Sequence, residues 1–203
     1  MAGDARPKRR ATGAAVFSPE VTEAITAAAL DELAAKGFAG MSMDAVARRA
    51  SVGKSAIYRR WPSKERMVVE ALGELIVLAD HFLEDTGSLR GDVRAALDEM
   101  VEWLSDERIS RIYTDMLAQG LRSPAMADAL TTHIGRPRRT RAMVIFDRAE
   151  RRGELSASAD RELILDLMGA MVFWKVAARR EKATPEYLDR VAAAIVAAVD
   201  AIS

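Results

Sequence analysis

Lys54, Lys64 and Arg66 each fall in the first turn of a helix that the sequence predicts. A cation there opposes the helix dipole by roughly 0.3–1 kcal/mol, whereas an anion is stabilised. Phosphate groups at both helix starts would turn that penalty into a binding site, with the opening backbone amides as further donors. Between these cations, the second helix presents Ser55, Ala56, Tyr58 and Arg59 outward, with hydroxyl and guanidinium donors among them. Such groups grip phosphate oxygens and touch base edges, so the chemistry is recognition of duplex DNA. The alternative is a solvated face on an ordinary αα-hairpin.

The elements that must hold these groups are legible around them. Ser42–Lys64, SMDAVARRASVGKSAIYRRWPSK, reads as a helix-turn-helix. Ser42 caps a helix over about Met43–Ala50, Ser51-Val52-Gly53 turns, and a second helix runs over about Lys54–Arg60. Val46, Ala47, Ala50, Val52 and Ile57 face inward, and the small Ala47 and Ala50 allow close approach. Ahead of them, Ser18-Pro19 starts a helix that keeps a 3.6-residue apolar beat to about Lys36, where Gly37 ends it. Phe38 and Met41 plug the resulting three-helix core. Pro62 stops the reading helix, and Ser63 caps a fourth one expected to run unbroken to about Leu83.

Beyond Gly87 the pattern predicts helices at about Arg90–Ser105, Arg108–Gly120, Pro124–Arg152, Ala159–Glu181 and Pro185–Ile202. Ser123-Pro124 and Thr184-Pro185 repeat the cap-then-proline start. A kink is expected at Gly135-Arg136-Pro137, and Gly153 is the stop. No strand signal interrupts this order. The expectation is an all-α protein: a basic arm at 1–17, a helix-turn-helix domain at 18–63, and a helical regulatory and dimerisation domain at 64–203.

Charge supports the division. The chain is neutral overall, with 30 Lys and Arg against 30 Asp and Glu, yet residues 1–63 hold 10 against 6 and residues 64–203 hold 20 against 24. Phosphate affinity follows local charge, so the basic end is the DNA-facing one. The Arg6-Pro7-Lys8-Arg9-Arg10 arm either reaches along DNA or serves solubility. Zero cysteines exclude disulfides and thiolate metal sites, and no run approaches the ~18–20 apolar residues that span a bilayer. A cytoplasmic protein without membrane contact is expected. No HExxH, no glycine-rich phosphate loop and only His81 and His133 leave no case for an enzyme, a cofactor or a metal.

The combination of Val46-Ala47, Ala50, Ile57-Tyr58, Trp61 and Pro62-Ser63-Lys64-Glu65 resembles the tetracycline-repressor (TetR) family of bacterial transcription regulators. The matching block, Val21–Leu72, covers about a quarter of the chain. The resemblance implies that Lys54, Ser55, Ala56 and Arg59 face base edges and nearby phosphates. It implies also that Tyr58 and Lys64 grip phosphates, that Ser42 touches the backbone, and that Arg60 adds cationic reach. Two departures concern the operator sequence. Ser51-Val52-Gly53 stands where Gly-Val-Ser is common, pressing Ser51 toward the left-handed region at a cost on the order of 1 kcal/mol. Ala56 replaces a frequent threonine.

In the larger half, the last two helices are apolar on most sides and are expected to be buried on most sides. Leu163, Leu167 and Val172 on the first, with Leu188, Val191, Ala192, Ile195 and Val199 on the second, are the expected dimer interface. Four such helices from two chains would form a bundle, as the family's members use, and set the reading helices about 34–36 Å apart, or a multiple, over a palindrome. Met100, Trp103, Tyr113, Met116, Met143, Phe146, Met171 and Trp174 are candidates for an adaptable effector pocket, or else plain core. His133 is either a polar contact there or a surface residue. Arg136, Arg138, Arg139 and Arg141 form a solvated face or attract an anionic ligand. The family implies a repressor released from its DNA operator by a small-molecule effector acting through the fourth helix. The rival is a helical DNA-binding dimer without an inducer, controlled by a partner protein or by concentration.

Overall fold

The computed structural model describes residues 18–77 and 84–199, and every regular element among them is helical. The basic arm, the 78–83 portion of the expected long helix with His81, and the end of the last helix lie outside the described residues.

Helix α1 (Pro19–Gly40) begins with proline at its first position, but Ser18 adds no side-chain cap; its hydroxyl donates to Glu20 instead. Gly37 takes φ 67°, so the regular helix is broken there, and Met41 N–H closes onto the Gly37 carbonyl at 3.1 Å. Ile25, Ala28, Ala29 and Leu33 bury its apolar face against α2 (Met43–Arg49) and α4 (Lys64–Val77). Helix α3 (Lys54–Tyr58) is shorter than the sequence predicts: Arg59 and Arg60 form a closing turn before Pro62. Val46, Ile57, Met67, Val68 and Leu72 are fully enclosed and knit this head together. Trp61 joins them and donates its indole N–H to Glu70 at 2.8 Å.

The body is built from α5 (Leu89–Ser105), α6 (Glu107–Gly120), α7 (Pro124–Leu130), α8 (Arg136–Arg151), α9 (Arg161–Phe173) and α10 (Pro185–Val199). Helix α5 is central and packs on α6, α8, α9 and α10. Its start is fixed by Asp92, whose carboxylate accepts from the Thr86 amide and hydroxyl (2.8 and 2.7 Å) and from Arg152 (2.9 Å). The expected kink at Gly135-Arg136-Pro137 takes the form of a π-helical turn at Thr131–Gly135 joining α7 to α8. Pro137 has no N–H to offer the His133 carbonyl four residues back, and a π turn accommodates that loss. The freed His133 carbonyl lies against α4, where a Cβ on Gly73 would sit only 3.1 Å from it. A second π turn, Trp174–Ala178, extends α9. Gly153, at φ 75°, ends the α8 segment.

Candidate functional site

The candidate groups of the head lie on α2, α3 and the start of α4. Ser42 Oγ accepts the Ala45 amide at 3.2 Å, the N-cap that starts α2. Ser51 is held at φ 56°, the left-handed conformation that its place in the turn demands. From that turn α3 projects Lys54, Ser55, Tyr58 and Arg59 into solvent, with Ala56 half-buried and Ile57 anchoring the opposite side. Tyr58 is 52% exposed, a large aromatic kept out of the core.

The cations divide by what already holds them. Lys54 pairs with Asp44 at 2.5 Å, but both side chains are well exposed, so the pair is weak and a phosphate can replace it. Arg59 makes no ion pair among the described residues. Arg60 turns inward: its Nε donates to Thr22 Oγ1 at 3.1 Å and a terminal nitrogen to the Ala56 carbonyl at 3.0 Å. Lys64 is also engaged. Its ammonium donates to the Phe38 carbonyl at 2.8 Å and stands 4.2 Å from the Phe38 ring centre. The last carbonyls of α1 are orphan acceptors, and a lysine there satisfies them. Arg66, the third cation at a helix start, is bound to Glu70 at 2.7 Å.

The body holds a cavity of about 400 Å³ between α5, α6, α8 and α9. Met100, Trp103 and Tyr113 line it; the other five pocket candidates do not. Met116 and Phe146 are sealed in the core, Met143 packs beside it, and Met171 and Trp174 project from the outer face of α9. Methionine and aromatic content marks apolar burial without saying which side of a helix faces the void. Leu117, Leu165 and Phe173 complete the apolar wall. Arg138, Arg139 and Arg141 join them, whereas Arg136 is exposed, and His133 is half-buried outside the lining. Arg139 pairs with Glu162 and Asp166, and Arg141 with Glu99. Arg138 lies over the Trp103 ring at 4.7 Å, and Trp103 meets Tyr113 edge-on at 4.7 Å between centroids. Burial pushes the Tyr113 hydroxyl up and the Arg138 guanidinium down from their ordinary values.

The expected dimer residues fall on two sides. Val172, Leu188, Val191, Ala192, Ile195 and Val199 are enclosed within their own chain, where α10 packs on α5 and α9. Helices apolar on most sides are expected to be buried on most sides; one part of that burial is the chain's own core. What α9 and the π turn after it turn outward is Leu163, Leu167, Met171 and Trp174, of which Leu163, Met171 and Trp174 are exposed.

One link absent from the sequence expectations joins cavity to head. Asp115 Oδ2 accepts the Phe38 amide at 2.7 Å, two residues along α6 from Tyr113. Among the described residues, no cluster of His, Asp and Glu is placed to hold a metal ion, and no helix is long and apolar enough to cross a membrane.

Comparison with known proteins agrees with this geometry. Residues 25–71 match the model for bacterial regulatory proteins of the tetR family, and residues 83–195 match the tetracyclin repressor-like C-terminal domain. The chain is 32% identical over 149 residues to the DNA-binding transcriptional repressor TetR of Mycobacteroides abscessus, covering 73% of this chain and 78% of that one. It is 32% identical over 172 residues to an HTH-type transcriptional regulator of Mycobacterium tuberculosis, covering 84% and 83%. Its fold superposes on a TetR-family regulator from Mesorhizobium loti with a TM-score of 0.69 at 21% identity, covering 92% and 98% of the two chains. A transcriptional regulator from Streptomyces coelicolor gives a TM-score of 0.66 at 21% identity, covering 88% and 99%. With both domains matched in order, the chain belongs to the TetR family of transcriptional regulators.

Proposed function

We propose that this regulator acts as a homodimeric repressor that grips a palindromic operator through α3 and lets go when a small molecule fills the body cavity. The observation that carries the ligand-controlled part is the double duty of α6. One turn of it supplies Tyr113 to the cavity wall and Asp115 to the Phe38 amide at the end of α1. A ligand that displaces Tyr113 therefore moves an anchor of the head. The π turn offers a second route, since Gly135 lines the cavity and the His133 carbonyl abuts Gly73 of α4. To change operator occupancy the ligand must favour one arrangement by ~1–3 kcal/mol; equal affinity for both would do nothing.

For the head, exposed Lys54, Ser55, Tyr58 and Arg59 are the groups that would meet DNA, with Ala56 available to a thymine methyl. Ser42 and Lys64 position: the first by capping α2, the second by tying α4 to the end of α1. The test is a footprint on the DNA flanking the protein's own coding region, followed by a thermal-shift screen of small molecules. The expected result is a two-fold symmetric protected site and at least one stabilising compound that weakens operator binding. A compound that binds tightly yet leaves the operator dissociation constant unchanged would count against control through this cavity and favour control by concentration or a partner protein.

A further inference from the structure

We propose that the body cavity selects an amphipathic monocarboxylate, with Arg138 as the carboxylate anchor and the Trp103 indole N–H and Tyr113 hydroxyl as accompanying donors. The inference rests on the ligand-binding role of the body and specifies the chemistry of its occupant.

The argument is one of unmatched groups. Three arginines reach the cavity, and two arrive with carboxylates of their own: Arg139 with Glu162 and Asp166, Arg141 with Glu99. Arg138 has no carboxylate partner and no hydrogen bond among the described residues; its contacts are the face of Trp103 and the neighbourhood of Tyr113. A guanidinium cannot shed its proton to escape a poorly hydrated site, so it needs an anion there. Trp103 Nε1 is buried without an acceptor, and what acts on the Tyr113 hydroxyl is burial and the nearby Arg138, with no hydrogen bond among the described residues. Donors therefore outnumber acceptors on this wall. Around them, Met100, Leu117, Leu165 and Phe173 offer only apolar surface.

The arrangement fits a molecule with one anionic end and one apolar end. A planar carboxylate matches the guanidinium fork with two parallel hydrogen bonds, and its lone pairs can also take an indole or phenol proton. The void of about 400 Å³ lies within the range of small-ligand pockets and suits an aryl or short acyl body. A cationic ligand would meet Arg138 while the lining carboxylates Glu99 and Asp166 are already taken by Arg141 and Arg139, and a neutral one would leave Arg138 unpaired.

The test uses the full-length protein and matched probes that differ only at the polar end. Titration calorimetry compares 2-naphthoate with 2-naphthalenemethanol, and 4-phenylbutyrate with 4-phenylbutanol. The expected result is at least ten-fold tighter binding of each acid, with that preference lost in Arg138→Gln and partly kept in Arg138→Lys. Tyr113→Phe, a milder change, should reduce the preference several-fold, which guards against a misfolded Arg138 variant. Alcohols binding as tightly as acids, a preference that survives Arg138→Gln, or no binding of either acid overturns the proposal. Operator binding is measured in parallel. Alcohols that bind and release DNA would sink the carboxylate assignment but not ligand control; acids that bind and leave DNA occupancy unchanged would do the reverse.

Discussion

Asp115 on α6 accepts the backbone N–H of Phe38 at 2.7 Å, joining the body to the end of α1 across 77 positions of sequence. Gly37 makes this possible: at φ 67° it turns the chain out of α1 and points the next amide at α6. A hydrogen bond to a charged acceptor contributes about 1.5–3 kcal/mol. Asp115→Ala should lower the unfolding free energy by that amount and speed hydrogen exchange at the Phe38 amide. Asp115→Asn, which keeps a neutral acceptor, should recover part of the loss. Unchanged exchange at Phe38 in the alanine variant would show that the contact does not couple body to head.

Arg59, Arg60 and Lys64 are near neighbours in sequence with different surroundings, and their alanine variants should separate. Arg59 is exposed and unpaired among the described residues, so its loss should change which operator bases are preferred, by ~1–3 kcal/mol at one position. Arg60 is bound to Thr22 and the Ala56 carbonyl, so its loss should cost about 1 kcal/mol of stability and leave base preference alone. Lys64 satisfies the Phe38 carbonyl. Its loss should destabilise the head and weaken every duplex alike, and a direct phosphate contact would also shallow the salt slope by about one unit. Competition binding against a library of operator variants at two salt concentrations distinguishes the three.

The turn between α2 and α3 carries avoidable strain. Ser51 sits at φ 56°, whereas Gly53, at φ −71°, is an ordinary extended N-cap with room for a side chain: a Cβ there would meet only Ser55 Oγ, at 3.8 Å. Exchanging the two residues, Ser51→Gly with Gly53→Ser, relieves the left-handed serine and adds a capping hydroxyl. The expected gain is about 1 kcal/mol in urea unfolding, reduced somewhat by the extra freedom of an unfolded glycine. A loss of stability would mean that Ser51 is held for a reason outside backbone conformation.

The head was legible in the sequence because its signals are local. Ser42, Ser63 and Gly37 mark helix ends by their own chemistry, and Ile57 and Val46 mark an inner face by spacing. The body was legible only as a series of helices. Met116 and Met100 are the same residue type on adjacent helices, yet one is sealed in the core and the other lines the cavity. That difference depends on how α5, α6, α8 and α9 are set against one another, which no periodicity encodes. The four arginines at 136–141 looked equivalent for the same reason. Only their partners in space separate Arg138 from Arg139 and Arg141. Likewise, the apolar pattern of α10 does not say that α5 of the same chain covers part of it.

Acid should unfold the protein through two buried carboxylates. Hydrogen bonds from Lys36, then Arg49, hold Glu32 below its ordinary value against the opposing effect of burial. Burial pushes Asp92 up, but hydrogen bonds from Thr86 and Arg152 outweigh it, and the net displacement is downward. A lowered value in the folded state means that the unfolded chain takes up protons first. The stability these groups confer is thus complete at neutral pH. It begins to fall as pH approaches the ordinary carboxylate value of about 4, and it is lost below the folded-state values. Urea midpoints measured from pH 7 to pH 3 should drop along that course. Glu32→Gln and Asp92→Asn should each lower the neutral-pH midpoint and flatten its acid dependence; an unaltered slope in both would place the acid sensitivity elsewhere.

The outward stripe of α9 is where a second copy should dock. Leu163, Met171 and Trp174 are 39, 41 and 64% exposed, and the half-buried Leu167 lies between them at helical spacing. Exposed apolar surface gathered on one face marks an association site more often than scattered residues do. Charging it with Met171→Glu and Trp174→Glu should give a folded monomer in sedimentation, with operator affinity reduced by 100-fold or more, on the order of 3 kcal/mol, because one head then binds one half-site. Ile195→Ala makes the contrasting case. That side chain is 4% exposed inside its own chain, so truncation should cost about 2–4 kcal/mol of unfolding free energy without a selective effect on association. If the glutamate variants remained dimeric while Ile195→Ala dissociated, the partner would have to reach α10 by a rearrangement of the free chain.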